Sequence, residues 1–126
     1  MKKKTIKIPI YFGDFIIILD PDDWKNVNEM YQHRLRWTRP ADKSDEAFVF
    51  EDNHNGYTRY IVCFKKHSKN SVIAHECVHL VNKLFKDRGQ QLDIENDEAQ
   101  AYMTGWFFEQ IENFFKNQKY LCKQTI

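Results

Sequence analysis

The chain has 126 residues, 42% apolar and 29% charged, the composition of an ordinary soluble globular protein and the length of one domain, 1–126. Lys+Arg 19 against Asp+Glu 18 leaves a net charge of +1, which excludes the basic footprint of a nucleic-acid-binding protein. No run approaches the ~20 apolar residues that span a bilayer, and Lys7, Pro9, Gly13 and Asp14 interrupt what would be the apolar region of a secretory leader.

Neither a nucleic-acid partner nor a membrane partner is therefore expected. The three cysteines, Cys63, Cys77 and Cys122, are odd in number and form no C-x-x-C, so they read as reduced thiols and the expected location is cytoplasmic. Lysine-rich stretches (Lys2 to Lys4, Lys65 to Lys69, Lys116 to Lys123) read as solvated surface.

Thr5 to Phe12 partly alternates, and Phe15 to Leu19 is a short β-branched run. Gly13-Asp14 can turn the chain between them, which predicts a hairpin, with Pro9 confining the first strand to an edge. Asp20-Pro21-Asp22-Asp23 predicts a capped helix start, and Trp24, Val27, Tyr31 and Leu35 carry that helix to about Arg36. Ala47 to Asp52 and Tyr57 to Lys65 flank Asn53-His54-Asn55-Gly56, a second hairpin signal.

Ser68 to Ser71 offers a cap for a second helix over about Val72 to Arg88, which Gly89 can end. A third helix starts near Glu95 to Asp97, capped by Asp93 or Asn96. It runs to about Asn117 on a stripe of Ala99, Met103, Trp106 or Phe107, Ile111 and Phe114, and a polar tail follows from Gln118. The pattern predicts an α+β fold: a small, mostly antiparallel sheet packed on three helices.

The second helix carries His75-Glu76-Cys77-Val78-His79, an H-E-x-x-H motif among apolar residues. At 3.6 residues per turn the two histidines share a face and can bind one Zn²⁺, with Glu76 beside them to hold a water and take its proton. Histidines within an apolar helix would be costly to bury without partners, and a metal satisfies them. A catalytic zinc site wants a third protein ligand. Glu98, nineteen positions after His79, is the first candidate, because Ala101 and Gly105 on its face would let the third helix approach the second closely. Glu95 ranks second. The plainer reading of Glu95, Asp97 and Glu98 is an acidic helix start.

H-E-C-V-H followed by Asn96-Asp97-Glu98-Ala99-Gln100-Ala101-Tyr102 resembles the gluzincin branch of the zincin-like metallopeptidases. The likeness is to minimal gluzincins and small H-E-x-x-H proteins of bacteria and their phages, and it covers roughly residues 57–108. It implies a zincin-like fold with the metal between helices two and three, held by His75, His79 and Glu98, with Glu76 as general base. Cys77 stands where the family usually has a larger apolar residue.

The resulting expectation is a zinc-dependent peptidase acting on a peptide or protein substrate. The alternatives are a zinc-stabilised accessory protein that cleaves nothing and a hydrolase of non-peptide amides. Tyr102, one turn beyond Glu98, is the first candidate for oxyanion stabilisation, with His67, Arg59 and Tyr60 behind it. The strand Tyr57 to Phe64 could pair with an extended peptide if it forms an edge. A partner chain is one way for so short a protein to complete its cleft.

Overall fold

The computed structural model describes residues 1–31, 41, 44–54 and 56–124, and for residues 54 and 119–124 the backbone alone. Among the described residues it is a small α+β protein with a four-stranded open sheet, mostly antiparallel, and three helices. The chain divides into two compact units, Met1–Ser68 and Lys69–Ile126. The first holds the sheet and one helix, the second the two longer helices.

Strands β1 (Lys2–Lys7) and β2 (Asp14–Leu19) pair antiparallel, with Lys7 opposite Asp14. A hairpin forms as expected, but its first strand is 2–7 rather than Thr5 to Phe12 and its turn is residues 8–13 rather than Gly13-Asp14, because the strand ends before Pro9, which has no N–H to give a ladder. Residues 8–13 form the connection, held by Ile8 N–H donating to Gly13 O (3.2 Å) and Tyr11 N–H to Pro9 O (2.7 Å). Strands β3 (Ala47–His54) and β4 (Tyr57–Phe64) form the second hairpin, turning at Gly56 with φ 77°. Asn55 and the polar stretch at 32–40 and 42–43 lie outside the described residues.

The two hairpins join through parallel pairing of β2 with β4, Asp14 opposite Arg59 and Leu19 opposite Phe64, giving the order β1-β2-β4-β3. The condition on which residues 57–64 could pair with an extended peptide is not met, since both sides of β4 are taken and the edges are β1 and β3. The reason is compositional. Phe15 to Ile18 and Tyr60 to Phe64 are unbroken apolar runs buried on both faces, as interior strands require, whereas β1 is four lysines in six residues.

Helix α1 (Lys25–Tyr31) packs on one face of this sheet. Trp24, Val27 and Tyr31 meet Ile16 and Ile18 of β2, Phe50 of β3, and Ile61 and Cys63 of β4. Trp24 sits edge-on to Phe48 (centroids 4.8 Å) and donates from Nε1 to Asp45 O (3.0 Å), and Tyr31 sits edge-on to Phe50 (5.0 Å). Asn28 brackets the Ala41 backbone, donating to its carbonyl and accepting from its N–H, each at 3.0 Å.

The helix starts later than the Pro21 expected, because Asp23 (φ 47°) and Trp24 (φ 67°) are left-handed, a conformation that swings the Trp24 ring into the core. Asp20 still caps it, at a distance. Its buried carboxylate accepts from Val27 N–H (2.9 Å), Asn26 Nδ2 (3.0 Å) and Asp22 N–H (3.3 Å). Burial works to raise the Asp20 pKa, but these donors and the Met1 ammonium outweigh it and the net shift is downward. Asp20 therefore stabilises the fold above the ordinary Asp range, and that contribution disappears as pH falls through its lowered pKa. Asp20→Ala should cost about 2–3 kcal/mol in urea unfolding at pH 7, and the cost should shrink as pH falls below the ordinary Asp range.

In the second unit, α2 (Asn70–Asp87) begins at Lys69 without a side-chain cap. Ser68 instead donates its hydroxyl to Lys66 O (3.2 Å), so the expected Ser68–Ser71 cap is not made. Gly89 ends the helix as expected, with φ 67°, its N–H on Lys86 O (3.3 Å) and Gln90 N–H on Phe85 O (2.9 Å), the paired bonds of a Schellman motif.

Asp93 Oδ1 accepts from Glu95 N–H (3.0 Å), and the Asp97 carbonyl takes Ala101 N–H (2.8 Å) to open α3 (Glu98–Gln124). The backbone stays helical where a polar tail was expected. Met103, Phe107, Ile111, Phe114 and Phe115 form the buried face of α3, and α2 and α3 pack on one another. No helix among the described residues is long and apolar enough to cross a membrane.

Candidate metal centre

Ile73, Cys77, Leu80, Val81, Leu84 and Phe85 recur at helical spacing along α2 and are buried. Their periodicity turns the other side of the helix outward, and that side carries His75, Val78 and His79, all exposed. The expectation that the motif histidines lie in a buried environment is thereby corrected. They occupy the helix face opposite Cys77 and Leu84, so no burial cost demands a metal there.

One helical turn sets the two imidazoles together. Their Nε2 atoms are 3.3 Å apart, and the rings meet edge-on with centroids 4.9 Å apart at 75°. Two nitrogens at the usual Zn–N distance of a tetrahedral site are separated by about 3.3–3.4 Å. The pair fits two ligand positions of one zinc ion.

Glu76 follows His75 by about 100° around the helix, which carries it to the margin of the buried face. It is 5% exposed, and its Oε2 is buried with no hydrogen-bond partner. Burial pushes its pKa up, opposed in part by the charges of His75 and His79. A buried oxygen without a donor, next to two histidines, is where a water or a metal would be welcome. Beside it the buried Cys77 thiol is pushed up to about 12 by burial and by the Glu76 charge, so it stays protonated and acts as an apolar packing group.

Glu98 is exposed at the first position of α3, and Glu95 is exposed in the turn before it. Among the described residues no group of three or more His, Cys, Asp or Glu side chains is assembled to hold a metal ion, so neither glutamate is brought into a common ligand set with the histidines. Ala101 and Gly105, expected to let α3 approach α2, are exposed, and a Cβ on Gly105 would meet nothing within 4 Å. The large apolar stripe is the buried one instead, because each buried Phe, Ile or Met contributes ~1.5–3 kcal/mol and the Ala/Gly face has almost nothing to bury.

Tyr102 shares the outer face, 54% exposed. Tyr60 is fully buried in the sheet, Arg59 is ion-paired with the buried Asp52 across β3 and β4, and His67 is exposed. Cys63 packs in the sheet core; His33 and the side chains of His54 and Cys122 lie outside the described residues. The signal overlooked in the sequence is the pairing of Glu76 with the apolar positions Ile73 and Leu80, each within a turn of it, which marks Glu76 rather than the histidines as the buried member.

Comparison with protein-family models, with curated proteins and with solved structures yields no match to this chain.

Proposed function

We propose that this chain is a zinc-dependent hydrolase of zincin-like, gluzincin type that cleaves peptide bonds. The observation that carries the reading is the His75–His79 Nε2 separation of 3.3 Å beside a buried, unpartnered Glu76 carboxylate.

His75 and His79 would hold the zinc through Nε2, and Glu98, with Glu95 as the alternative, would complete the set between α2 and α3. Both glutamates are exposed, so neither has a buried environment to leave in doing so. When bound, zinc supplies a water of lowered pKa and polarises the scissile carbonyl. Glu76 takes the proton of the attacking water at its unpartnered oxygen and returns it to the leaving amine. Tyr102, on the face of Glu98, is the candidate hydroxyl for the developing oxyanion.

Metal content measured by mass spectrometry after exhaustive dialysis tests the ligand set. One zinc per chain is expected for the wild type. Zinc should fall to background in His75→Ala and His79→Ala, and its affinity should drop roughly 10–100-fold or more in Glu98→Ala. Unchanged, stoichiometric zinc in Glu98→Ala would remove Glu98 from the set and move the assignment to Glu95→Ala. Absence of zinc from the wild type, or zinc with no cleavage of a diverse peptide mixture, would sink the hydrolase.

A further inference from the structure

The connection between β1 and β2 is a loop of unusual chemistry. Loops are built from polar residues and glycine because their surfaces meet water, yet residues 8–13 read Ile-Pro-Ile-Tyr-Phe-Gly, with one phenol as the sole polar side-chain group. Ile8 and Gly13 are buried and anchor its base through the Ile8 N–H to Gly13 O bond. At its tip Ile10 is 84% exposed and Phe12 81%.

Ile10 is also held at φ 69°, the left-handed region that a β-branched residue avoids at a cost. A strained backbone that drives an isoleucine side chain into water is a feature to be explained by what it meets.

The strand that leads into this tip carries charge of one sign. Lys2, Lys3, Lys4 and Lys7 lie on the exposed edge strand β1, and residues 1–13 contain no carboxylate; Asp14, opposite Lys7, is the first. At the loop's base the Lys7 ammonium lies 5.8 Å from the centroid of the Tyr57 ring, itself 40% exposed. Two protruding apolar side chains, with an aromatic ring and the Lys7 ammonium at their base and Lys2 to Lys4 at the far end of the same strand, form an amphipathic arrangement of the kind that seats a protein in a bilayer interface next to anionic headgroups. The overall charge of +1 hides it, because the balancing carboxylates lie elsewhere in the chain.

We infer that the β1–β2 loop is a membrane-docking tip: Ile10 and Phe12 enter the interface of an anionic bilayer, Lys7 engages its headgroups, and Lys2 to Lys4, farther up β1, add longer-range attraction.

Co-sedimentation of the full chain with vesicles of phosphatidylcholine, with and without 30 mol% phosphatidylserine, tests it. The wild type should bind the phosphatidylserine vesicles, and binding should weaken as salt rises. The double variant Ile10→Ser, Phe12→Ser should bind roughly a hundredfold less, and Lys7→Glu roughly tenfold less. Ile10→Gly separates docking from folding: it accepts the left-handed backbone without strain, so it should unfold at a higher temperature and yet bind vesicles less. A wild type that stays in the supernatant at low salt overturns the inference. So does serine-variant binding equal to wild type, or concentration-dependent self-association that disappears in Phe12→Ser, which would make the tip a contact between copies.

Discussion

Glu76→Gln is expected to abolish peptide cleavage while leaving zinc in place, with turnover falling roughly 10²–10⁴-fold, the range that general-base catalysis by one side chain contributes. The amide keeps the size and shape of the carboxylate but cannot accept the water's proton. Equal cleavage by both proteins would take Glu76 out of the chemistry.

The same substitution has a second readout, on metal-free protein kept in chelator. Glu76 is buried and its pKa is raised, so the folded chain holds that proton more tightly than the unfolded chain does. Its penalty is absent below the ordinary Glu range and grows as pH rises through the raised pKa. Unfolding of the wild type should therefore show stability falling across that window, and Glu76→Gln should flatten the slope. A bystander glutamate on the surface would show neither effect.

Trp24→Ala should be the most damaging single substitution in the sheet unit, at about 3–5 kcal/mol in chemical unfolding. The ring is fully buried, packs edge-on against Phe48 and sits in the cluster that joins α1 to three strands. Trp24→Phe keeps most of that packing and loses the Nε1 bond to Asp45 O, so about 1 kcal/mol is expected beyond the difference in ring size. A Trp24→Ala cost below about 1 kcal/mol would mean that α1 is not anchored where the structure places it.

Much of the architecture was legible in local chemistry. The two hairpins follow from β-rich runs around Gly13-Asp14 and Asn53 to Gly56, and Gly89 ends α2 because the Schellman geometry needs a left-handed residue there. The parallel pairing of β2 with β4 was not legible as a partnership, since periodicity reports which faces are buried and not which strand lies alongside. Its trace was present all the same in two apolar runs without alternation.

Asp20 was recognisable as a cap, but its reach to Val27 depends on left-handed turns at Asp23 and Trp24, which no pattern encodes. At the candidate site the motif fixed the spacing of His75 and His79 and nothing about their exposure. The third helix offered two stripes, one of small residues beside Glu98 and one of Met103, Phe107, Ile111 and Phe114. Choosing the small one as the contact face set geometry above burial, and in the structure the large apolar stripe is the buried one.

The parallel register of β2 and β4 also bears on how the chain reaches this state. Each hairpin can zip from its own turn, but Asp14 meets Arg59 only after the intervening helix and strand have been gathered in. Loop-closure entropy is spent before any contact rewards it, and such non-local pairing slows folding. The α2–α3 hairpin, by contrast, joins neighbours through a short connection and has little such delay. Until β4 arrives, the apolar β2 stands with one side paired to a lysine strand and the other side open. The lysines of β1 then guard the outer edge of an otherwise adhesive hairpin while the slow step is completed.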